Sequence, residues 1–334
     1  MMGLPIIDLS TAASDPVEFE SALLDATHRV GFFYLVGHGV PQQQIDEILV
    51  LARRFFALPA AAKDEISQLK SPQFRGYSRL GGEFTNSEID WREQIDIGPE
   101  REVIDDAEGY WNLQGPNLWP SALPELRPAF EKWDAALSEV GLRLLRHWAH
   151  ALTGARDIFD DAFAAAPATL IKVVRYPGTD TTAQGVGAHK DSGVLTLLLV
   201  EPGSAGLQVE SGPDEWIDAP PLDGAFIVNI GELLEVATGG FLRATRHRVL
   251  APAPGTDRIS IPYFLNPALD ATVPTLALPP DLAQLARGVA DDPANPLYST
   301  YGENAWKSRT RAHPDVAARH HGIGVESAGP GSAY

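Results

Sequence analysis

The spacing of apolar residues divides this chain into a helical first half and a strand-rich second half. Asp15-Pro16-Val17-Glu18 reads as a helix start, with Asp at the N-cap, Pro at the first position and Glu at the third. That helix should stop before Gly31. Phe32-Phe33-Tyr34-Leu35-Val36 is then a short β-prone run ended by Gly37-His38-Gly39, and Pro41 opens a second helix to roughly Phe56. The stretch from Ser71 to Pro99 is polar and glycine-bearing, which predicts loop with short strands. A long amphipathic helix is expected from about Pro124 to Thr153, because Phe130, Trp133, Leu137, Leu144, Trp148 and Leu152 recur at helical spacing and Gly154 is placed to stop it. Beyond it the runs shorten and become β-branched: Leu170–Tyr176, Val194–Val200, Leu207–Val209, Ala225–Ile230 and Ile259–Phe264. Many short strands separated by turns predict a sandwich or jelly roll. A charged, helical tail follows from about Pro280.

Composition narrows the functional classes. The 334 residues can bury a substantial core as one large domain or two modest ones. Lys and Arg number 26 against 44 Asp and Glu, a formal net charge of −18. That excess argues against a nucleic-acid backbone or an anionic membrane as partner. It leaves room for an acidic small molecule, since one arginine in a pocket acts locally. With no cysteine, disulfides, thiolate ligands, iron–sulfur clusters and cysteine nucleophiles are excluded. The first residues lack a basic segment followed by an apolar one, and no uncharged apolar run approaches the roughly 20 residues of a membrane helix. A cytoplasmic protein with no implied protein partner is expected.

The candidate chemistry centres on His189-Lys190-Asp191 and one further histidine, His247. Two imidazoles and one carboxylate on a single face bind Fe(II) and leave coordination positions open. Residues two apart in a strand share a face, so His189 and Asp191 project together if their segment is extended. With nine histidines in the chain, such a pair arises easily by chance, and its neighbours must decide. Arg258 and Ser260 form a second same-face pair, with Ile259 and Ile261 pointing the other way. A guanidinium and a hydroxyl on one face make a carboxylate-binding fork. Tyr176 is a candidate for a further hydroxyl.

In order along the chain, Tyr176-Pro177, His189-Lys190-Asp191, Gly206-Leu207-Gln208-Val209, Asn229-Ile230-Gly231, His247-Arg248-Val249 and Arg258-Ile259-Ser260 resemble the isopenicillin N synthase-like branch of Fe(II)/2-oxoglutarate-dependent oxygenases. Leu4-Pro5-Ile6-Ile7-Asp8-Leu9, Gly31-Phe32-Phe33, His38-Gly39-Val40-Pro41, Gly76-Tyr77, Asp90-Trp91-Arg92-Glu93 and Asn117-Leu118-Trp119-Pro120 extend the likeness, which covers about residues 4 to 270. It implies a mainly β fold with flanking helices: a double-stranded β-helix (jelly roll) braced by the long helix. The whole chain, 1–334, would be a single oxygenase domain. Its parts would be an N-terminal α/β region (about 1–120), the bracing helix (about 121–155), the jelly-roll core (about 165–270) and a helical tail (about 280–334). The resemblance further implies Fe(II) held by His189, Asp191 and His247. 2-Oxoglutarate would chelate the iron and set its distal carboxylate on Arg258, Ser260 and Tyr176. Dioxygen is the oxidant, ascorbate a candidate reductant, and a small molecule is hydroxylated or otherwise oxidised with release of succinate and CO2.

Two other readings stay open at this level. Arg175-Tyr176-Pro177 looks closer to isopenicillin N synthase, an oxidase that sets its own substrate's carboxylate on the equivalent residues and needs no 2-oxoglutarate. A jelly-roll binding protein without catalysis is the third reading, disfavoured by the intact ligand and Arg/Ser set. The chain departs from the family at Glu232, where Asp often follows Asn229-Ile230-Gly231, and at Gly239-Gly240, where Asn-Gly is frequent. The remaining histidines and arginines have plainer expectations. His147 and His150 read as helix surface and packing, His38 as structural in a tight turn, and His313, His320 and His321 as part of a solvated helix. Arg75, Arg79 and Arg92 read as solvated loop charges, with one of them the alternative anchor for an acidic substrate. The substrate is expected to meet the Ser71–Pro99 stretch, the surroundings of Lys172 and the C-terminal tail.

Overall fold

The computed structural model describes residues 3–85, 88–179, 184–289 and 295–324. Strands β1 (Ile6–Asp8), β2 (Phe32–Val36) and β3 (Gly76–Ser78) come first, followed by the ribbon of β4 (Phe84–Thr85) and β5 (Glu88–Ile89), and then β6 (Glu93–Ile97). The second half supplies β7 (Leu170–Pro177), β8 (Gln184–His189), β9 (Leu195–Val200) and β10 (Leu207–Gly212). It continues with β11 (Glu215–Asp218), β12 (Phe226–Ile230), β13 (His247–Leu250) and β14 (Asp257–Leu265). These form an eight-stranded sheet, ordered β1-β2-β12-β9-β14-β7-β6-β3, and a four-stranded sheet, β11-β10-β13-β8. This is the jelly roll, mainly β with flanking helices.

Strict alternation makes the larger sheet two-faced. Leu195, Leu197 and Leu199 of β9, and Ile259, Ile261, Tyr263 and Leu265 of β14, pack into the helical layer. Their neighbours Leu198, Val200, Val174 and Tyr176 turn the other way and meet Val186, Leu207, Val209 and Val249 of the smaller sheet. The helical layer holds α1 (Pro16–Arg29), α2 (Gln42–Phe56), the short α3 (Ala60–Asp64), α4 (Leu126–Thr153) and the short α5 (Asp160–Ala164). Asp15 caps α1 by accepting from the Glu18 N–H at 3.1 Å. In α4 all six apolar residues expected on one face are buried, and Gly154 ends the helix in a left-handed conformation (φ 79°). Farther on come α6 (Glu232–Ala237), α7 (Pro280–Ala283), α8 (Tyr301–Ala312) and α9 (Pro314–His321). The expected tail reached Tyr334, but residues 290–294 and 325–334 lie outside the described residues, as do 86 and 87 of the Ser71–Pro99 stretch.

The Ser71–Pro99 stretch carries the short strands expected of it, and β3 and β6 extend the large sheet, with all of β6 buried. Its Glu93 and Asp96 are polar in sequence yet lie inside, because Lys63 (2.8 Å) and Arg175 (2.7 Å) compensate Glu93 and Arg309 compensates Asp96. The structure corrects two other expectations. Arg75 and Arg92, expected in solvent, are each only 8% exposed: Arg75 lies against Gly98 and faces Tyr301 and Arg309 of α8, and Arg92 is buried with Glu83 and Asp90. His313, expected on a solvated helix, is 2% exposed and faces Glu83 and Asp96 at 3.7 Å. Arg79 does lie in solvent, bridged to Asp64.

Candidate metal and carboxylate site

His189 is the last residue of β8 and His247 the first of β13, and the two are register partners across the smaller sheet. Asp191 lies two residues past the end of β8, in the turn before β9 rather than on the strand. The shared-face expectation for the H-x-D pair therefore rested on the wrong local structure. The turn still brings the carboxylate back. Asp191 Oδ1 sits 3.6 Å from His189 Nε2 and 3.8 Å from His247 Nε2, and the three candidate ligand atoms all lie within 4.8 Å of one another.

Neighbouring groups orient each donor. His189 Nδ1 faces the Gly187 carbonyl at 2.8 Å, and His247 Nδ1 faces the Thr245 carbonyl at 3.1 Å. A carbonyl only accepts, so each Nδ1 carries the proton and each Nε2 presents its lone pair toward Asp191. Asp191 Oδ2 accepts from Thr196 Oγ1 at 2.6 Å and from Asn229 Nδ2 at 2.8 Å, which leaves Oδ1 for a metal. Burial alone would raise the Asp191 pKa, but His247, His189 and Thr196 outweigh it and hold the carboxyl well below its ordinary range. Burial, with His189 beside it, pushes His247 down to about 4; burial would also lower His189, but the hydrogen bond and charge of Asp191 outweigh it and raise that pKa. With His189 Nε2 deprotonated, the site is a carboxylate with imidazole nitrogen lone pairs, the donor set that suits Fe(II). Thr196 was not foreseen from sequence, and Asn229 was noticed only as part of a motif.

Arg258 lies opposite Tyr176 in the β14–β7 register, with its guanidinium carbon 4.8 Å from the ring centroid. Arg258 Nη1 donates to Ser260 Oγ at 3.0 Å. Its Nε and Nη2 are buried and have no partner, and the residue is 2% exposed. A guanidinium buried with two unsatisfied nitrogens calls for an anion. These three residues and the His/Asp/His cluster line one cavity of about 1040 Å³. The far wall is charged. Arg92 bridges Glu83 and Asp90 at 3.0 Å each, and Lys172 reaches Glu83 at 2.6 Å.

The other histidines are structural. His147 and His150 both meet Glu20 of α1, at 2.9 and 2.7 Å, where they join two helices. His38 bridges the Gly224 carbonyl and the Val40 N–H. Tyr301, Lys307 and Arg309 of α8 line the cavity alongside Lys172 and the Ser71–Pro99 stretch. Among the described residues, no helix is long and apolar enough to cross a membrane.

Two family models match this chain. One, described as non-haem dioxygenase in morphine synthesis N-terminal, covers residues 4–122; the other, the 2OG-Fe(II) oxygenase superfamily, covers residues 168–267. A 2-oxoglutarate-dependent dioxygenase of Dothideomycetidae sp. is 35% identical over 95% of this chain and 91% of its own length. A homoarginine-6-hydroxylase of Glycine max is 33% identical over 82% of this chain and 88% of its own. Among solved structures, a 2OG-Fe(II) oxygenase family protein from Caulobacter crescentus superposes with a TM-score of 0.74 at 27% identity, covering 92% of this chain and 98% of that one.

Proposed function

The chain belongs to the 2OG-Fe(II) oxygenase superfamily, and on that premise we propose that His189, Asp191 and His247 hold the iron while Arg258 and Ser260, over the ring of Tyr176, hold the distal carboxylate of 2-oxoglutarate. The protein is an Fe(II)- and 2-oxoglutarate-dependent dioxygenase. The synthase-type oxidase and the inactive binding module are therefore set aside. The observation that carries the assignment is the pointing of both Nε2 atoms at the one Asp191 oxygen that Thr196 and Asn229 leave free.

The bound metal with 2-oxoglutarate supplies the centre at which dioxygen is activated; the chain supplies position. Thr196 and Asn229 fix which Asp191 oxygen faces the metal. The Gly187 and Thr245 carbonyls fix the imidazole tautomers, and Phe32 packs edge-on to the His247 ring with centroids 5.2 Å apart. Arg258, its partnerless nitrogens aimed at an anion, sets the orientation of the cosubstrate. Leu198, Val249 and Pro262 give the cavity an apolar stretch of wall. The substrate reading is a small molecule that enters the 1040 Å³ cavity and is hydroxylated, with succinate and CO2 released. The relatives named homoarginine-6-hydroxylases support hydroxylation as the outcome. Strands from both sides of α4 share the large sheet, which supports one oxygenase domain over residues 1–334.

Anaerobic addition of Fe(II) and 2-oxoglutarate should produce the visible charge-transfer band of the chelate, and admitting oxygen should release succinate. His247→Ala should abolish the band. Arg258→Ala should weaken 2-oxoglutarate by more than tenfold while leaving iron binding unchanged. A normal band in His247→Ala would remove that residue from the ligand set.

A further inference from the structure

Pairing off the charges of the cavity wall leaves a remainder. Arg92 and Lys172 are taken by Glu83 and Asp90. Lys190 is taken by Glu235, Arg246 by Glu210 and Arg309 by Asp96, and Lys307 donates to the Pro296 carbonyl at 2.6 Å. Arg258 belongs to the cosubstrate site proposed above. Arg75 and Arg101 also line the cavity, and among the described residues neither has a carboxylate within salt-bridge distance.

Arg75 is the more telling of the two. It is 8% exposed, its Nε is buried without a partner, and among the described residues its one side-chain hydrogen bond runs 3.3 Å from Nη2 to the Leu113 carbonyl. Its guanidinium lies flat against Gly98, where an added Cβ would come within 2.2 Å of the guanidinium carbon. Glycine at 98 therefore makes the seat for this side chain. Arg101 is held by the Ala166 and Pro167 carbonyls at 3.1 and 2.6 Å, so its charge is fixed near Arg75 yet not neutralised. The charged and titratable groups facing Arg75 are Arg309, Asp96, Tyr301 and Arg101. Asp96 is engaged by Arg309. The other nearby acid, Asp134, accepts from Thr169 at 2.6 Å. A buried guanidinium so poorly satisfied is stable only with an anion to meet it.

This anion is not the distal carboxylate of 2-oxoglutarate. Thr196 pairs with Phe264, Phe264 with Leu170, and Ile171 with Ile97, so Gly98 continues the row that begins at Thr196. Three strand spacings put Gly98 about 14 Å across the sheet from Thr196, which holds the metal-facing carboxylate. Arg258 lies six residues back along β14 from Phe264, about 20 Å at the rise of a strand.

We propose that Arg75, seated on Gly98 and flanked by Arg101, is a second oxyanion subsite that binds a carboxylate or phosphate group of the substrate and so directs the rest of the molecule toward the metal. The proposal rests on the oxygenase reading for what lies at the other end of the cavity. It makes the substrate class an acidic small molecule, in a protein whose own net charge is −18.

The test uses protein loaded with Fe(II) and 2-oxoglutarate under anaerobic conditions, titrated calorimetrically with propionate, methyl phosphate and, as the uncharged control, propionamide. At least one anion should bind saturably and propionamide should not; which anion binds more tightly tells carboxylate from phosphate. Arg75→Gln should weaken that binding at least tenfold, whereas Arg79→Gln, at the exposed Asp64 bridge, should leave it unchanged. Should Arg75→Gln melt early, Arg75→Lys keeps the charge without the fork and should bind several-fold more weakly than the wild type. Anion binding that is absent, or equal in wild type and both Arg75 variants, or matched by propionamide, would overturn the subsite. The chelate band reports on the oxygenase reading separately. A band without anion binding sinks only the subsite; a missing band sinks the reading, while the Arg75→Gln difference still judges the subsite.

Discussion

At the scale of single residues, the two oxygens of Asp191 have different jobs, and the difference comes from Thr196 and Asn229. Both donate to Oδ2, so the remaining oxygen can point only at the imidazoles. Metal-ligand orientation of this kind is typically worth roughly 10–100-fold in affinity. Asn229→Ala and Thr196→Val should each weaken Fe(II) binding within that range in anaerobic titrations, while the folded protein retains its far-UV spectrum. Unchanged iron affinity in both variants would show that Asp191 needs no such support. His313 poses a separate residue-scale question. Burial, with the charges of Lys172 and Arg309, pushes its pKa down to about 4 despite Glu83 and Asp96 beside it. In the unfolded chain the imidazole titrates near its ordinary value of about 6.5. Between those values the unfolded chain binds a proton that the folded protein refuses, so stability rises with pH across that window and is lost as pH falls through it. The full effect is about 3 kcal/mol. His313→Gln should therefore flatten the acid limb of a stability–pH profile between about pH 6.5 and 4, measured by urea unfolding at each pH.

At the scale of elements, the turn that carries Asp191 depends on the start of α6. Glu232 N–H donates to the Asp191 carbonyl at 2.8 Å, Leu233 N–H to Gly193 at 3.1 Å, and Gly231 N–H to Val194 at 2.9 Å. The backbone at Gly231 is ordinary (φ −94°), but a Cβ there would sit 2.2 Å from the Gly193 oxygen. Gly231→Ala must push the two segments apart, at about 1–3 kcal/mol. Both the melting temperature and the iron affinity should fall together; a variant that melts early yet binds iron normally would uncouple the turn from the site. The same segments show what a sequence can and cannot reveal. α1, α4 and the strands β2, β7, β9, β12 and β14 of the large sheet were legible because caps and apolar periodicity are local signals, and because β9 and β14 bury every second side chain against helices. β8 was hidden by Gly185 and Gly187, poor strand formers, and β6 by Glu93 and Asp96, whose burial depends on partners far away in sequence. The cluster of His189, Asp191 and His247 was readable from motif order, although the local geometry assigned to Asp191 was wrong. Thr196 escaped because a hydroxyl bonded to a carboxylate leaves no period in the sequence. Arg75, Arg92 and His313 were misread because solvation is decided by what folds over a side chain.

At the scale of the whole molecule, the cavity is closed by parts drawn from both ends of the chain. Phe74, just before β3, stacks on His321 of α9 with centroids 5.5 Å apart and meets the Trp306 ring of α8 edge-on. Arg309 of α8 reaches across to Asp96 of β6. Asp96 is fully buried and, among the described residues, otherwise accepts only from Gln94 at 2.8 Å and Gln68 at 3.4 Å. Removing one member of such a pair strands the other charge, at about 3–5 kcal/mol, whereas replacing both with neutral groups is often nearly free. Arg309→Met should therefore lower unfolding stability by about that amount, and adding Asp96→Asn should recover most of the loss. Simple additivity of the two substitutions would mean that α8 is held over the cavity by apolar packing alone. The residues proposed for iron and cosubstrate lie on β7, on β13, on β14 and around the end of β8, so the Fe(II)–2-oxoglutarate band should survive in every member of this cycle. A band lost together with stability would instead mean that the tail supports the metal site directly. Arg309 also disfavours the protonated form of His313, so in the single variant the acid limb of stability should shift toward the ordinary histidine range. The ion pair and the buried imidazole then appear in one set of unfolding curves as coupled parts of the contact between the C-terminal helices and β6.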